Sequence, residues 1–226
     1  MRLLLIFVIA ISFVSCKRNQ LKKPTTVSIK MNINRNASND GRLQFNEGFI
    51  IIEEFVVEGT RREGDPISFE KSFPNGLEIN FLDQDVSELD YELPQGAYTE
   101  LVFTFATKYV GGNSNIEVQG VYTNDQNQDI PIVFSFTDED EIRIIGDDSR
   151  GGSNIILDKS KHSSAEIQFD PIYWFELVSN NMLDNATLYN QNGVQTIIVS
   201  SSKNEDIYDL VVDRMEETAM ALWSND

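Results

Sequence analysis

The stretch from Leu93 to Phe105, Leu-Pro-Gln-Gly-Ala-Tyr-Thr-Glu-Leu-Val-Phe-Thr-Phe, constrains the fold more than any other part of the chain. Pro94 has no N–H to give to a ladder and so closes the strand before it, while Gly96 tolerates the positive φ that a tight turn needs. A new strand is expected from Tyr98. Along it Leu101, Phe103 and Phe105 share one face and Val102 and Thr104 the other, the period of two that a sheet with one buried side imposes.

The same period recurs on both sides of that strand. Val27, Ile29, Met31 and Ile33 alternate with polar residues and read as a first strand, followed by a polar connection from Asn34 to Asn46. The run Gly48 to Gly59 is β-branched, bounded by glycines and too continuously apolar for a half-exposed strand, so it is expected at the centre of a sheet. Shorter strands are expected at Ile67 to Phe73, Leu77 to Leu82, Leu89 to Leu93, Ile116 to Tyr122, Ile130 to Phe136, Ile142 to Ile145, Asn154 to Leu157 and Ala165 to Phe169. Many short strands separated by Gly, Asn and Asp turns argue for a mainly β protein, a β-sandwich over residues 25 to 169. With 41% hydrophobic residues in 226, the chain has ample material for such a core.

After Phe169 the pattern changes. Asp170-Pro171 is a capping acid followed by a first-turn proline, and the apolar run from Tyr173 to Val178 predicts a buried helix. Gln191-Asn192-Gly193 reads as a turn into a strand at Val194 to Val199. From Asn204 to Trp223, Ile207, Leu210, Val211, Met215, Ala219, Leu222 and Trp223 recur at helical spacing. Residues 170 to 226 are thus expected to form an α+β segment, packed on the sandwich and ending in an amphipathic helix.

The N-terminus has its own logic. Met1-Arg2, the apolar run Leu3 to Phe13 and then Val14-Ser15-Cys16 follow the layout of a secretory signal, and the run is well short of the roughly 20 residues a spanning helix needs. The end of this segment resembles the lipobox of bacterial lipoproteins, in which a cysteine after a small residue is lipidated and becomes the new N-terminus. Ser15 and Cys16 fit that pattern, while Phe13 stands where leucine is usual. Cys16 is the chain's only cysteine and so has no intramolecular disulfide partner. The resemblance implies a signal peptide at residues 1 to 15 and a lipidated tether at 16 to 24. That tether carries Lys17, Arg18, Lys22 and Lys23 and no acid, whereas residues 24 to 226 hold 13 basic and 36 acidic residues, a net of −23. A body this acidic is repelled by nucleic acid, which is excluded as a partner.

The turn Leu93, Pro94, Gly96 and Tyr98, the lipobox and the order of elements together resemble uncharacterised β-sandwich lipoproteins of the Bacteroidetes type, whose prealbumin-like domains carry a similar Leu-Pro-x-Gly-x-Tyr turn. The resemblance spans residues 25 to 169 and implies a fold and an outer-membrane location, not a ligand.

Catalytic chemistry is poorly supplied. His162, the only histidine, lies in the polar stretch Asp158 to Ser164, and Gly146-Asp-Asp-Ser149-Arg-Gly151 has the wrong spacing for a nucleophile elbow. No phosphate-binding glycine loop, Cys/His metal cluster or dinucleotide fingerprint is present. Oxygen-ligand metal sites remain open. Asn36, Ser38, Asp40 and Glu47 follow the spacing of a calcium loop, although an asparagine opens it and strands flank it. A second carboxylate group, Asp138 to Glu141 with Asp147 and Asp148, is a candidate for one end of the sandwich. Tyr173, Trp174 and Phe175 are a candidate sugar-stacking platform, although such residues on an apolar helix are more often core. No other cofactor is expected. The resulting expectation is a non-enzymatic outer-membrane lipoprotein that binds or scaffolds a protein or glycan. In lipoproteins of the type it resembles, acidic residues just after the cysteine accompany export to the cell surface, so the resemblance implies a periplasmic facing for a chain with Lys17, Arg18, Asn19 and Gln20 there, with surface exposure as the alternative. The alternatives are a pilus subunit matured from a lipoprotein precursor by a cut at Arg61-Arg62, and an envelope hydrolase.

Overall fold

A computed structural model describes residues 23–82, 86–112, 114–215 and 219–225. The expected signal peptide, Cys16 and most of the basic tether lie outside the described residues.

The chain is mainly β, and the described residues form thirteen strands laid out as a sandwich. One sheet is ordered β4 (Tyr91–Pro94), β1 (Pro24–Ile33), β10 (Ser163–Phe169), β13 (Ala219–Asn225), β8 (Glu141–Asp148). The other runs β8, β5 (Gly96–Thr107), β2 (Leu43–Arg61), β6 (Ile116–Thr123), β7 (Asp129–Phe136), β12 (Val194–Val199), β11 (Leu188–Gln191). Two further strands join this second sheet, β3 (Ile67–Asn80) on β2 and β9 (Ile155–Leu157) on β5.

The long strand β2 is central, as its unbroken apolar run predicts. It pairs with β6 over its first half, with β5 over its second and with β3 on its other edge. The two strands expected at Ile67 to Leu82 are one, β3, interrupted where Phe73 to Gly76 lie between the paired residues Ser72 and Leu77. Pro74 sits in that interruption, where its missing N–H costs no ladder bond.

The expected inward face of β5 is realised, although Val102 on the opposite face is buried as well. Leu101, Phe103 and Phe105 are buried, and Phe105 stacks on Phe55 of β2 at 5.9 Å between ring centroids. The opposite sheet meets these rings: Trp223 stacks on Phe103 at 5.5 Å and Phe169 meets Phe105 edge-on at 6.1 Å. Offset and edge-to-face pairs of this kind add about 0.5–1.5 kcal/mol each beyond the area they bury.

The Pro94-Gln95-Gly96 turn does more than reverse the chain, because β4 lies in one sheet and β5 in the other. Gly96 has φ +148°, a conformation open to glycine. Across this passage the buried Tyr98 hydroxyl donates to the Pro94 carbonyl at 2.6 Å, a tyrosine corner like those of immunoglobulin sandwiches. Burial pushes the Tyr98 phenol up to about 12. The first described residue is tied to the same corner, since the Lys23 carbonyl accepts from the Gln95 amide side chain at 2.9 Å.

The C-terminal expectation needs correction. The helix α3 covers Glu205–Met215, and Ala219–Asn225 is strand β13, not the end of an amphipathic helix. This strand enters the first sheet antiparallel to β10 and parallel to β8. Ala221 and Trp223 point inward and Met220 and Leu222 outward, so the segment satisfies period two as well as helical spacing, and pairing on both edges decides between them. The segment after Phe169 is therefore not laid on a finished sandwich: it supplies strands to both sheets.

The crossing between sheets falls within β8. Glu141 to Ile145 pair with β5, and Gly146 to Asp148 pair with β13. A Cβ at Gly146 would stand 2.4 Å from the Trp223 indole nitrogen, so glycine lets that ring close the corner.

The part of the second sheet that lies beyond the sandwich is covered by helices. Asp170 caps α1 (Pro171–Trp174) by accepting from the Ile172 and Tyr173 amides at 3.1 and 3.2 Å, as the Asp-Pro signal predicts. Ser179 caps α2 (Asn180–Asp184). Phe45, Phe134, Phe175 and Tyr208 pack with Trp174 under these helices, and a Trp174–Phe169 contact at 6.2 Å joins this second cluster to the sandwich core.

Candidate functional site

A cleft of about 510 Å³ opens between the loop joining β1 to β2 and the segment carrying α1 and α2. Its volume is within the range of small-molecule sites. The two walls are about 130 residues apart in sequence and are joined by specific bonds. Asp40 accepts from the Ser38 hydroxyl at 2.6 Å, from the Arg42 backbone amide at 3.1 Å and from the Asn180 side-chain amide at 2.7 Å. These donors, Ser38 first, hold its carboxyl down at about 2. Two residues on, the Arg42 guanidinium pairs with Asp184 of α2 at 2.8 Å and lies over the Tyr122 ring. The Tyr122 hydroxyl also donates to Asp184 at 2.8 Å, and burial raises the Tyr122 pKa.

The floor of the cleft is apolar, formed by the buried Leu43, Phe175, Val178 and Leu183. Its rim is polar, with Asn39, Asp40, Asp170 and Glu176 alongside the half-buried Tyr173. Arg214 of α3 covers the Tyr173 ring at 4.1 Å from its centroid and pairs with Glu176 at 2.5 Å. Arg214 therefore fixes both rim residues from behind.

Of the four residues with calcium-loop spacing, the structure brings Ser38 and Asp40 together. Asn36 is exposed in the loop with its backbone amide bonded to Asn34, and Glu47 lies on β2. Four residues of strand separate Glu47 from Leu43, about 13 Å at 3.3 Å per residue. Among the described residues no group of three or more His, Cys, Asp and Glu side chains is placed to hold a metal ion.

The second carboxylate group does not gather at one end. Asp138 to Glu141 precede or begin β8 and Asp147 and Asp148 end it, so the two halves lie about 23 Å apart along the strand. Asp148 bonds within its own turn, to the Arg150 and Gly152 amides, which lowers its pKa. His162 is exposed in the loop before β10.

Within the aromatic run, Trp174 and Phe175 are core, 0% and 3% exposed, Phe175 lying under the cleft floor, and Tyr173 is the one on its rim. The sequence offered no signal that this residue would meet the Ser38 to Leu43 loop. Arg61 and Arg62 stand at the end of β2, where the Arg61 guanidinium bonds to the Asp65 and Gln95 carbonyls and the Arg62 amide to the Ala97 carbonyl.

No family model, no curated protein and no solved structure matches the chain. Among the described residues no helix is long and apolar enough to cross a membrane.

Proposed function

We propose that this protein is a non-enzymatic lipoprotein of the outer membrane, anchored through a lipidated Cys16, facing the periplasm and serving as a binding or scaffolding module. The observation that carries the reading is how the chain enters the fold: Lys23 is bonded into the corner between the two sheets, seven residues after Cys16. Seven residues span at most about 25 Å, so a lipid on Cys16 would hold the Pro94–Tyr98 corner close to the membrane. Each of Lys17, Arg18, Lys22 and Lys23 can add about 1 kcal/mol of attraction to an anionic leaflet, from which the net −23 body stands off. The cleft beside α1 and α2 supplies the binding half of the reading.

A non-catalytic role agrees with the ionisable groups of that cleft. Asp40 is held ionised by its own hydrogen bonds and so is not poised to exchange a proton near neutral pH, and Asp170 is occupied in capping α1. Maturation as a pilus precursor by a cut at Arg61-Arg62 suits the fold less well. The cut would sever the end of β2, the strand that pairs with β3, β5 and β6.

Fractionation of cells carrying Cys16→Ala tests the anchor. The wild type is expected in the membrane fraction and the variant in the soluble fraction, and equal membrane association of the two would overturn it. Protease treatment of intact cells tests the facing: digestion of the sandwich without permeabilising the outer membrane would place it on the surface instead.

A further inference from the structure

We propose that the cleft between the Ser38–Leu43 loop and α1–α2 binds a neutral saccharide. The proposal names a ligand class for the binding role above and holds whether or not Cys16 is the anchor.

Charge narrows the chemistry first. Among the described residues no lysine, arginine or histidine lines the cleft, so nothing there would neutralise a phosphate or carboxylate ligand. A simple organic cation is the obvious opposite, given three carboxylates on the rim. Each of those carboxylates already has donors: three on Asp40, two backbone amides on Asp170 and the Arg214 guanidinium on Glu176. The neutral donors leave Asp40 and Asp170 charged but fix their oxygens in place, and Arg214 neutralises Glu176, so the rim offers oriented acceptors suited to a hydroxyl, and spermidine in the test below separates an organic cation from a sugar.

A carboxylate has about four lone-pair positions. On Asp40 its own backbone amide joins those three donors, whereas Asp170 gives two positions to internal donors and so retains acceptor positions that a hydroxyl group can fill. The internal bonds also hold both groups in place, which lowers the ordering cost of binding. Exposed Asn39 adds an amide at the mouth of the cleft.

The apolar components fit the other side of a sugar. A pyranose presents hydroxyls around its edge and weakly positive C–H groups on its faces, and an aromatic ring offers a negative face to receive them. Tyr173 is the one aromatic side chain on the rim, and the Arg214 guanidinium against it holds the ring in position. Leu43, Val178 and Leu183 below it would receive the remaining C–H surface. A wholly apolar ligand would leave the acceptors of the rim unpaired, at a cost for each group that it dehydrates.

Saturation-transfer NMR on the full chain in detergent micelles tests the proposal with cellobiose, maltose and chitobiose, against glucose 6-phosphate and spermidine as charged counterparts. The expected result is transfer to at least one neutral disaccharide and little to either charged compound. Two variants locate the site. Tyr173→Ala removes the ring, and Asn39→Trp, on an exposed turn, fills the mouth with no core contact disturbed; each is expected to reduce the transfer by more than half. Should Tyr173→Ala fail to fold, Asn39→Trp alone decides the location. Absence of transfer to all three disaccharides, transfer unchanged by Asn39→Trp, or a preference for either charged compound would overturn the proposal. Sugar binding retained in a Cys16→Ala protein that has left the membrane would not affect it, and a membrane-bound protein that binds no sugar would fail this inference alone.

Discussion

Replacing Gly146 by alanine probes the crossing of β8 between the sheets, where an added Cβ would lie 2.4 Å from Nε1 and 2.9 Å from Cδ1 of Trp223. Ordinary contact begins near 3.4 Å, so the ring must retreat by about 1 Å. Trp223 has little room for this, being 1% exposed and stacked on Phe103 with an interplanar angle of 18°. Overpacking a rigid core costs about 1–3 kcal/mol. Alanine recovers about 0.4–1 kcal/mol by narrowing the unfolded ensemble, which leaves a net loss of about 1–2 kcal/mol. At about 2–4 °C per kcal/mol for a chain of this size, the midpoint should fall by about 2–8 °C in a calorimetric or circular-dichroism melt. A double-mutant cycle with Trp223→Phe sharpens the test. The smaller ring accommodates the new methyl, so the two losses should fall short of additivity by about 1 kcal/mol. An unchanged or raised midpoint for Gly146→Ala, or strict additivity with Trp223→Phe, would refute the placement of β13 beside β8.

Two further perturbations address the corner and the cleft wall. Tyr98→Phe removes the donor to the Pro94 carbonyl and should cost about 1–2 kcal/mol, whereas Tyr109→Phe, with Tyr109 48% exposed, should be neutral; equal melting points would show that the hydroxyl does not brace the corner. Because the Tyr98 pKa is raised from 10 to about 12, its contribution is fully present below pH 10 and is lost as pH rises from 10 towards 12. Urea titrations across that window should therefore show a shallower alkaline fall in Tyr98→Phe than in the wild type. The Asp40 carboxyl, lowered from 3.8 to about 2, contributes stability above pH 3.8 that is lost as pH falls through that range. Asp40 is exposed, so solvent screening reduces the effect to about 1 kcal/mol. Asp40→Asn should flatten the acid limb between pH 4 and 2, and an unaltered limb would contradict the bonding that joins the loop to α2.

The parts of the fold readable from sequence are those whose two faces meet different surroundings. Strands β1 and β6 alternate because one side is core, and α1 declares itself through Asp170-Pro171. The segment Ala219 to Trp223 misled because five residues are too few to separate period two from helical spacing, and what decided it was a place between β8 and β10 that no local pattern reveals. The Leu93 to Tyr98 turn was visible, yet its passage between sheets depends on β4 pairing with β1, some 67 residues earlier. The cleft is harder still. Ser38 and Asp40 drew attention as calcium ligands, but the Asn180 amide that meets Asp40 is 140 residues away. Tyr173 was legible as one of three aromatic neighbours, and only packing distinguishes it from Trp174 and Phe175.

The proposed function stands most directly on the chemistry of Cys16, and the mass of the mature N-terminal peptide measures it. The protein purified from membranes is expected to begin at Cys16 and to carry the added mass of a diacylglyceryl group, with or without a further amide-linked acyl chain. More than one acyl chain is what stable attachment requires. A mature chain that begins elsewhere, or an unmodified Cys16 in protein recovered from the membrane, would contradict it.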